Sequence, residues 1–84
     1  MDAQIPTRIY WRCRRGMAEL DEMLQGFLDK GYLYLDTKEK IIFEQLLTYS
    51  DTHLLEYLMG RTTPSDPVEK NVIEKIRQST RSRT

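Results

Sequence analysis

Arg15-Gly16-Met17-Ala18-Glu19 decides whether residues 6–30 form one helix or two. Upstream of it, Ile5, Ile9, Cys13 and Met17 recur every four residues, the spacing of one apolar helical stripe. If the helix ran straight on, Arg8, Arg12, Arg15 and Glu19 would line up as a second, charged stripe. Gly16 argues against that, because a glycine here reads as a helix end followed by a turn. Pro6 suits a first helical turn, where its missing N–H would have no partner anyway. The first segment is therefore expected from about Pro6 to Arg15. Tyr10 and Trp11 add aromatic bulk to it, and Trp11 is expected to be partly buried with its N–H bonded.

Downstream, Leu20, Met23, Leu24, Phe27 and Leu28 are spaced as the inner face of a second helix, about Met17 to Lys30. Glu19, Asp21 and Glu22 sit in its first turns, where carboxylates face the positive end of the helix dipole. Gly31 is a natural stop, and Tyr32-Leu33-Tyr34-Leu35 reads as an extended connector. Asp36 and Glu39 have capping-box spacing and open a third helix with Ile42, Phe43, Leu46 and Leu47 inward. Ser50 or Asp51 caps a short fourth helix carrying Leu54, Leu55, Leu58 and Met59, which Gly60 ends. Asp66-Pro67-Val68-Glu69 is the clearest helix start in the chain, and Val68, Val72, Ile73 and Ile76 turn that fifth helix inward. Gln78 to Thr84 reads as a frayed basic tail. The expectation is a single all-α domain over residues 1–84, a compact bundle of five short helices with its core at about 6–77.

Length and charge narrow the function. Eighty-four residues leave no room for a second core. Net charge is zero but unevenly spread. Residues 1–16 carry four arginines against Asp2, for +3; residues 17–69 carry eleven acids against four bases, for −7. Residues 70–84 carry five bases against Glu74, for +4. An acidic body with basic ends fits protein–protein contact better than nucleic acid, whose binders usually have a net basic domain. The Arg8, Arg12, Arg14, Arg15 run with Tyr10 and Trp11 interleaved keeps single-stranded nucleic acid as the lesser alternative. The N-terminus lacks the apolar core of a signal peptide, and no run approaches the ~20 apolar residues of a membrane span. A soluble, cytoplasmic protein is expected.

Catalytic constellations are hard to assemble from these residues. His53 is the only histidine and Cys13 the only cysteine. A nucleophile needs a base and an orienting group, and His53 reads as an exposed residue at a helix start. A zinc site usually draws three or four ligands from cysteine, histidine and carboxylate. Cys13 lies on the apolar stripe and reads as a buried structural thiol. The chain is not expected to be an enzyme.

Arg8-Ile9-x-Trp11-x-Cys13-Arg14-Arg15-Gly16-Met17-x-Glu19-Leu20-Asp21 resembles the signature of the succinate dehydrogenase assembly factors, the small flavinylation factors called SdhE in bacteria. Phe43-Glu44-x-Leu46-Leu47-x-x-x-Asp51-x-x-Leu54 agrees with it, and the resemblance covers roughly residues 8–76. Tyr57 stands where that family often carries tryptophan, a departure that touches local packing. The resemblance implies a five-helix domain that binds the flavoprotein subunit of succinate dehydrogenase, and in some cases fumarate reductase. It also implies that the factor promotes covalent attachment of FAD to a histidine of that client. Histidine and flavin would both belong to the client, so no tightly bound cofactor is expected in this chain, and a monomer is expected. The client surface implied is Arg8, Trp11, Arg14, Arg15, Gly16, Met17, Glu19 and Asp21.

Within that surface Gly16 would let a client segment approach the backbone. Arg15 would form bidentate bonds to a client carboxylate or carbonyl. Glu19 would accept hydrogen bonds from the client or orient Arg15. Spacing alone leaves a simpler alternative open: a glycine C-cap beside an intrahelical-type Arg15–Glu19 pair. A helical interaction module of antitoxin type is the rival from another functional class.

Overall fold

The computed structural model describes residues 5–81. Five α-helices follow in order: α1 (Thr7–Arg12), α2 (Ala18–Lys30), α3 (Thr37–Leu46), α4 (Asp51–Leu58) and α5 (Pro67–Arg81). No strand occurs among the described residues. The C-terminal helix is the hub, packing against α2, α3 and α4, while α2 also meets α4.

The core is built mainly from the inner faces that the periodicity predicts, although Met23, Ile42, Leu55 and Val68 are only partly buried and Met59 is exposed. Leu20, Leu24, Phe27 and Leu28 of α2 are buried, as are Phe43 and Leu46 of α3. Leu54 and Leu58 of α4 and Val72, Ile73 and Ile76 of α5 complete it, with Ile9 and Cys13 from the N-terminal arm. Phe43 holds the middle: its ring lies 5.4 Å from Phe27 and 5.5 Å, edge-on, from Tyr32. Such offset and edge contacts are the favoured aromatic geometries. Gly31 closes α2, and a Cβ there would run into the Phe27 ring, so this glycine is set by packing.

The helix starts follow local chemistry. Asp36 and Glu39 form a complete capping box: Asp36 Oδ1 accepts from the Glu39 amide at 2.8 Å, and Glu39 Oε1 from the Asp36 amide at 3.1 Å. Ser50, rather than Asp51, caps α4 by accepting from the His53 amide. Asp66 Oδ2 accepts from the Glu69 amide at the start of α5. Glu39 does more than cap. It is buried and takes Lys75 Nζ at 2.7 Å and Asn71 Nδ2 at 2.9 Å, which ties α3 to α5. The Lys75 bond, then the Asp36 amide, holds its carboxyl below the usual range.

Three expectations are corrected. Tyr32–Tyr34 is a 3₁₀ turn and not an extended connector, because burying Tyr32 and Leu35 together requires the tighter path. The tail does not fray at Gln78, since α5 continues through Arg81; residues 82–84, like 1–4, lie outside the described part. Finally, α1 stops at Arg12 instead of running on to Arg15, with Pro6 just before its first residue.

Candidate functional site

The early stop of α1 builds the site. The Cys13 amide is shared between Ile9 and Tyr10 carbonyls, and the Arg14 amide turns back to Trp11 at 3.1 Å. The next two amides leave the backbone ladder altogether. Arg15 N donates to Asp21 Oδ1 at 2.6 Å, and Gly16 N to Asp21 Oδ2 at 3.2 Å. Asp21 lies in the first turn of α2, so one carboxylate both answers the dipole of that helix and holds the incoming loop. Gly16 is left-handed at φ +87°, a conformation glycine adopts at no steric cost. A Cβ there would meet nothing within 4 Å. The loop backbone at Gly16 therefore faces open solvent.

Arg15 turns the other way, contrary to the expectation that it reaches out to a client. Its side chain is only 13% exposed. Nε donates to Asp51 Oδ1 at 2.7 Å, Nη1 to Leu47 O at 2.7 Å and Arg12 O at 3.2 Å, and Nη2 to Tyr49 O. Four of the five donors of a guanidinium are thus used inside the protein. Arg12 ends α1, Leu47 closes α3 and Asp51 begins α4. Helix ends present carbonyls without intrahelical partners and carry negative partial charge, so three chain segments converge on one cation. The Arg15–Glu19 pair suggested by spacing does not form, since Arg15 lies outside α2 and the i, i+4 geometry never arises.

The remaining candidates divide between brace and surface. Arg8 makes a two-pronged contact with Glu44 of α3, at 2.8 and 3.1 Å, and Arg12 joins at 3.3 Å. Hydrogen bonding by Arg8 holds the Glu44 carboxyl below the usual range. Met17 is half-buried against the core as the residue before α2. Glu19 is exposed on the first turn of α2. Trp11, expected to be partly buried, is 65% exposed. A helix of six residues has one inward face, and Ile9 takes it. The Arg14 guanidinium lies 5.7 Å from the Trp11 ring centroid, a cation–π contact. Tyr10, Trp11, Arg14 and Gln25 together line a shallow cleft of about 250 Å³.

Cys13 is fully buried beneath this arm, and burial pushes its thiol up to about 12. His53 is exposed on α4, its ring stacked on Tyr49 at 4.5 Å and tilted against Tyr57 at 4.7 Å. Among the described residues no group of three or more histidine, cysteine or carboxylate side chains could hold a metal ion. No helix there is long and apolar enough to cross a membrane.

Sequence reasoning missed Asp51 and Glu44, the partners of Arg15 and Arg8. The signal was present, because both stand in the second string that carries the family resemblance. Spacing within one string cannot show that it is complementary to another more than thirty residues away.

The fold and the site define a class: a small all-α domain that displays an internally braced, exposed loop beside a cationic-aromatic cleft. The chain belongs to the family described as flavinator of succinate dehydrogenase, whose model matches residues 7–80. It is 44% identical over 71 residues to the FAD assembly factor SdhE of Coxiella burnetii, covering 84% of this chain and 87% of the relative. Its identity to the FAD assembly factor SdhE of Wigglesworthia glossinidia brevipalpis is 39% over 73 residues, 87% of each chain. The same factor from Shewanella oneidensis is 37% identical over 84% of this chain and 87% of its own.

Proposed function

We propose that this protein binds the flavoprotein subunit of succinate dehydrogenase, and fumarate reductase where that client is present, and promotes attachment of FAD to a client histidine. The observation that carries the reading is the Gly16 loop: left-handed, open to solvent, and held in place by side chains. A loop of this kind lets another backbone approach closely without asking the protein to reorganise. Membership of a family described as flavinator of succinate dehydrogenase supports the choice of client and reaction.

Histidine and flavin both belong to the client, so this chain needs neither a nucleophile nor a resident cofactor. Its contribution is selection of a client conformation in which the two reacting groups are aligned. A binder shifts such an equilibrium only by its differential affinity for that conformation. Correct alignment of reacting groups lowers a barrier by several kcal/mol. The described surface is 5341 Å², and a standard interface of ~800 Å² per partner uses roughly a sixth of it. Trp11, Arg14, Gly16 and Glu19 are the exposed residues assigned to that patch, with Arg8 at its edge and Met17 behind it. Arg15 and Asp21 serve it from inside.

Gly16→Arg and Glu19→Ala test this with two readouts, the thermal midpoint and covalent flavin on co-expressed client. Gly16→Arg is expected to cut flavinylation on the order of tenfold or more, the loss of a central contact, while the domain stays folded. If covalent flavin falls only in proportion to lost folding, the surface is not the client site.

A further inference from the structure

We infer that Asp51, and with it Asp21, are positioning residues for the client surface, acting through Arg15 and Gly16 without touching the client. The inference rests on the reading of that surface given above. Its starting point is how the loop is held. Among the described residues, neither the Arg15 nor the Gly16 amide bonds to a backbone carbonyl; both go to Asp21. At these two residues the exposed loop is thus held by side chains, with backbone bonds only on its flanks.

Two anchors hold this stretch, one from α2 and one from α4. Asp21 grips the backbone of Arg15 and Gly16 from α2. Asp51 grips the Arg15 side chain from α4, and among the described residues it is the only side chain bonded to that guanidinium. The other partners, Arg12 O, Leu47 O and Tyr49 O, are neutral and accept whatever the charge state of residue 51. Without Asp51 they still hold an arginine, but Nε loses its acceptor and the guanidinium loses its one charged partner, so its placement is less tightly defined. The Asp51 carboxylate is also more open to water than Arg15, at 37% against 13% exposure. Its removal therefore rehydrates readily and leaves the core intact.

The test uses the full chain and purified flavoprotein subunit, with client affinity, thermal midpoint and exchange of the Gly16 amide as readouts. Asp51→Ala is expected to weaken client binding about tenfold, less than the loss of a central contact, and to speed exchange at Gly16. Asp51→Asn keeps an oxygen that can accept from Arg15 Nε, so it should recover most of the affinity. The Arg15→Ala, Asp51→Ala double variant should bind no worse than Arg15→Ala alone, because Asp51 acts through Arg15. Asp21→Asn, with one acceptor oxygen for two amides, should fall between parent and Asp51→Ala. Glu19→Ala separates the two levels of the claim. If it weakens binding and Asp51→Ala does not, positioning is wrong and the surface stands. If both bind as the parent, the surface reading fails and takes the positioning with it. Losses that merely track the folded fraction also overturn the inference.

Discussion

Two arginine–glycine pairs lie at helix joints in this molecule, and they are built on opposite principles. At the joint after α4, Gly60 has φ +78° and directly follows the helix end. Its amide returns to Tyr57 O at 3.1 Å and the Arg61 amide to Glu56 O at 2.9 Å, so local backbone bonds close the helix. At the joint after α1, Gly16 has nearly the same φ, but the helix has ended at Arg12 and side chains hold the turn. Among the described residues Arg61 pairs with Glu56 on the surface, at 61% exposure, whereas Arg15 is largely buried among three chain segments. A left-handed glycine alone therefore says little. What marks a joint as a presented surface is bracing from distant residues where local bonds would have sufficed.

The arginines give the largest expected contrast. Arg15→Ala leaves acceptors at the ends of α1 and α3 without a donor and is expected to cost about 2–3 kcal/mol. Arg61→Ala removes a solvent-screened pair and should change stability by less than about 0.5 kcal/mol. Urea denaturation of both variants measures the difference, and equal losses would erase the distinction between the joints.

The glycines come next. Gly16→Ala and Gly60→Ala each force a side chain into a left-handed backbone and should each cost about 1 kcal/mol. At Gly60 the new methyl also presses on the Arg77 guanidinium, 3.0 Å away, a flexible neighbour that can yield. Matched thermal midpoints with client binding lost only for the Gly16 variant would sharpen the comparison. Lost binding in both would mean that the client reads global stability.

The last contrast is one of pH, and at neutral pH it is silent. The Cys13 thiol is pushed up to about 12, chiefly by burial, from 9.0. Tyr49 is also pushed up to about 12, from 10.0, first by its hydrogen bond to Glu69 and then by burial. Both groups hold their protons more tightly when folded. Their contribution is complete below the unfolded values and drains away as pH climbs from about 9 toward 12. Cys13 and Tyr49 both adjoin the Arg15 brace, so alkaline pH should speed amide exchange at Gly16 before Gly60. Tyr49→Phe should flatten part of the fall in stability, and simultaneous loosening of both joints would contradict this.

Much of the fold was legible before any coordinate. Asp36, Asp66 and Ser50 start their helices because a short polar side chain meets a free amide two or three residues on, a purely local event. Leu24, Phe43 and Ile76 are inside because apolar residues at helical spacing have one face to bury. Legibility failed where partners are distant or lengths short. Trp11 read as packing but stands in solvent, since a six-residue helix has no second inward face to offer it. Glu39 read as a cap and is also the bond between α3 and α5.

The Arg15-Gly16 stretch shows where the division lies. By itself the sequence determined that the helix breaks there, that a glycine permits the turn, and which family the flanking residues resemble. Only the tertiary structure decided that Arg15 points inward while Gly16 and Glu19 face solvent. The reason is that a guanidinium goes where acceptors are most concentrated. The carbonyls and carboxylate that outbid solvent for it arrive from helix ends brought together only when the bundle closes.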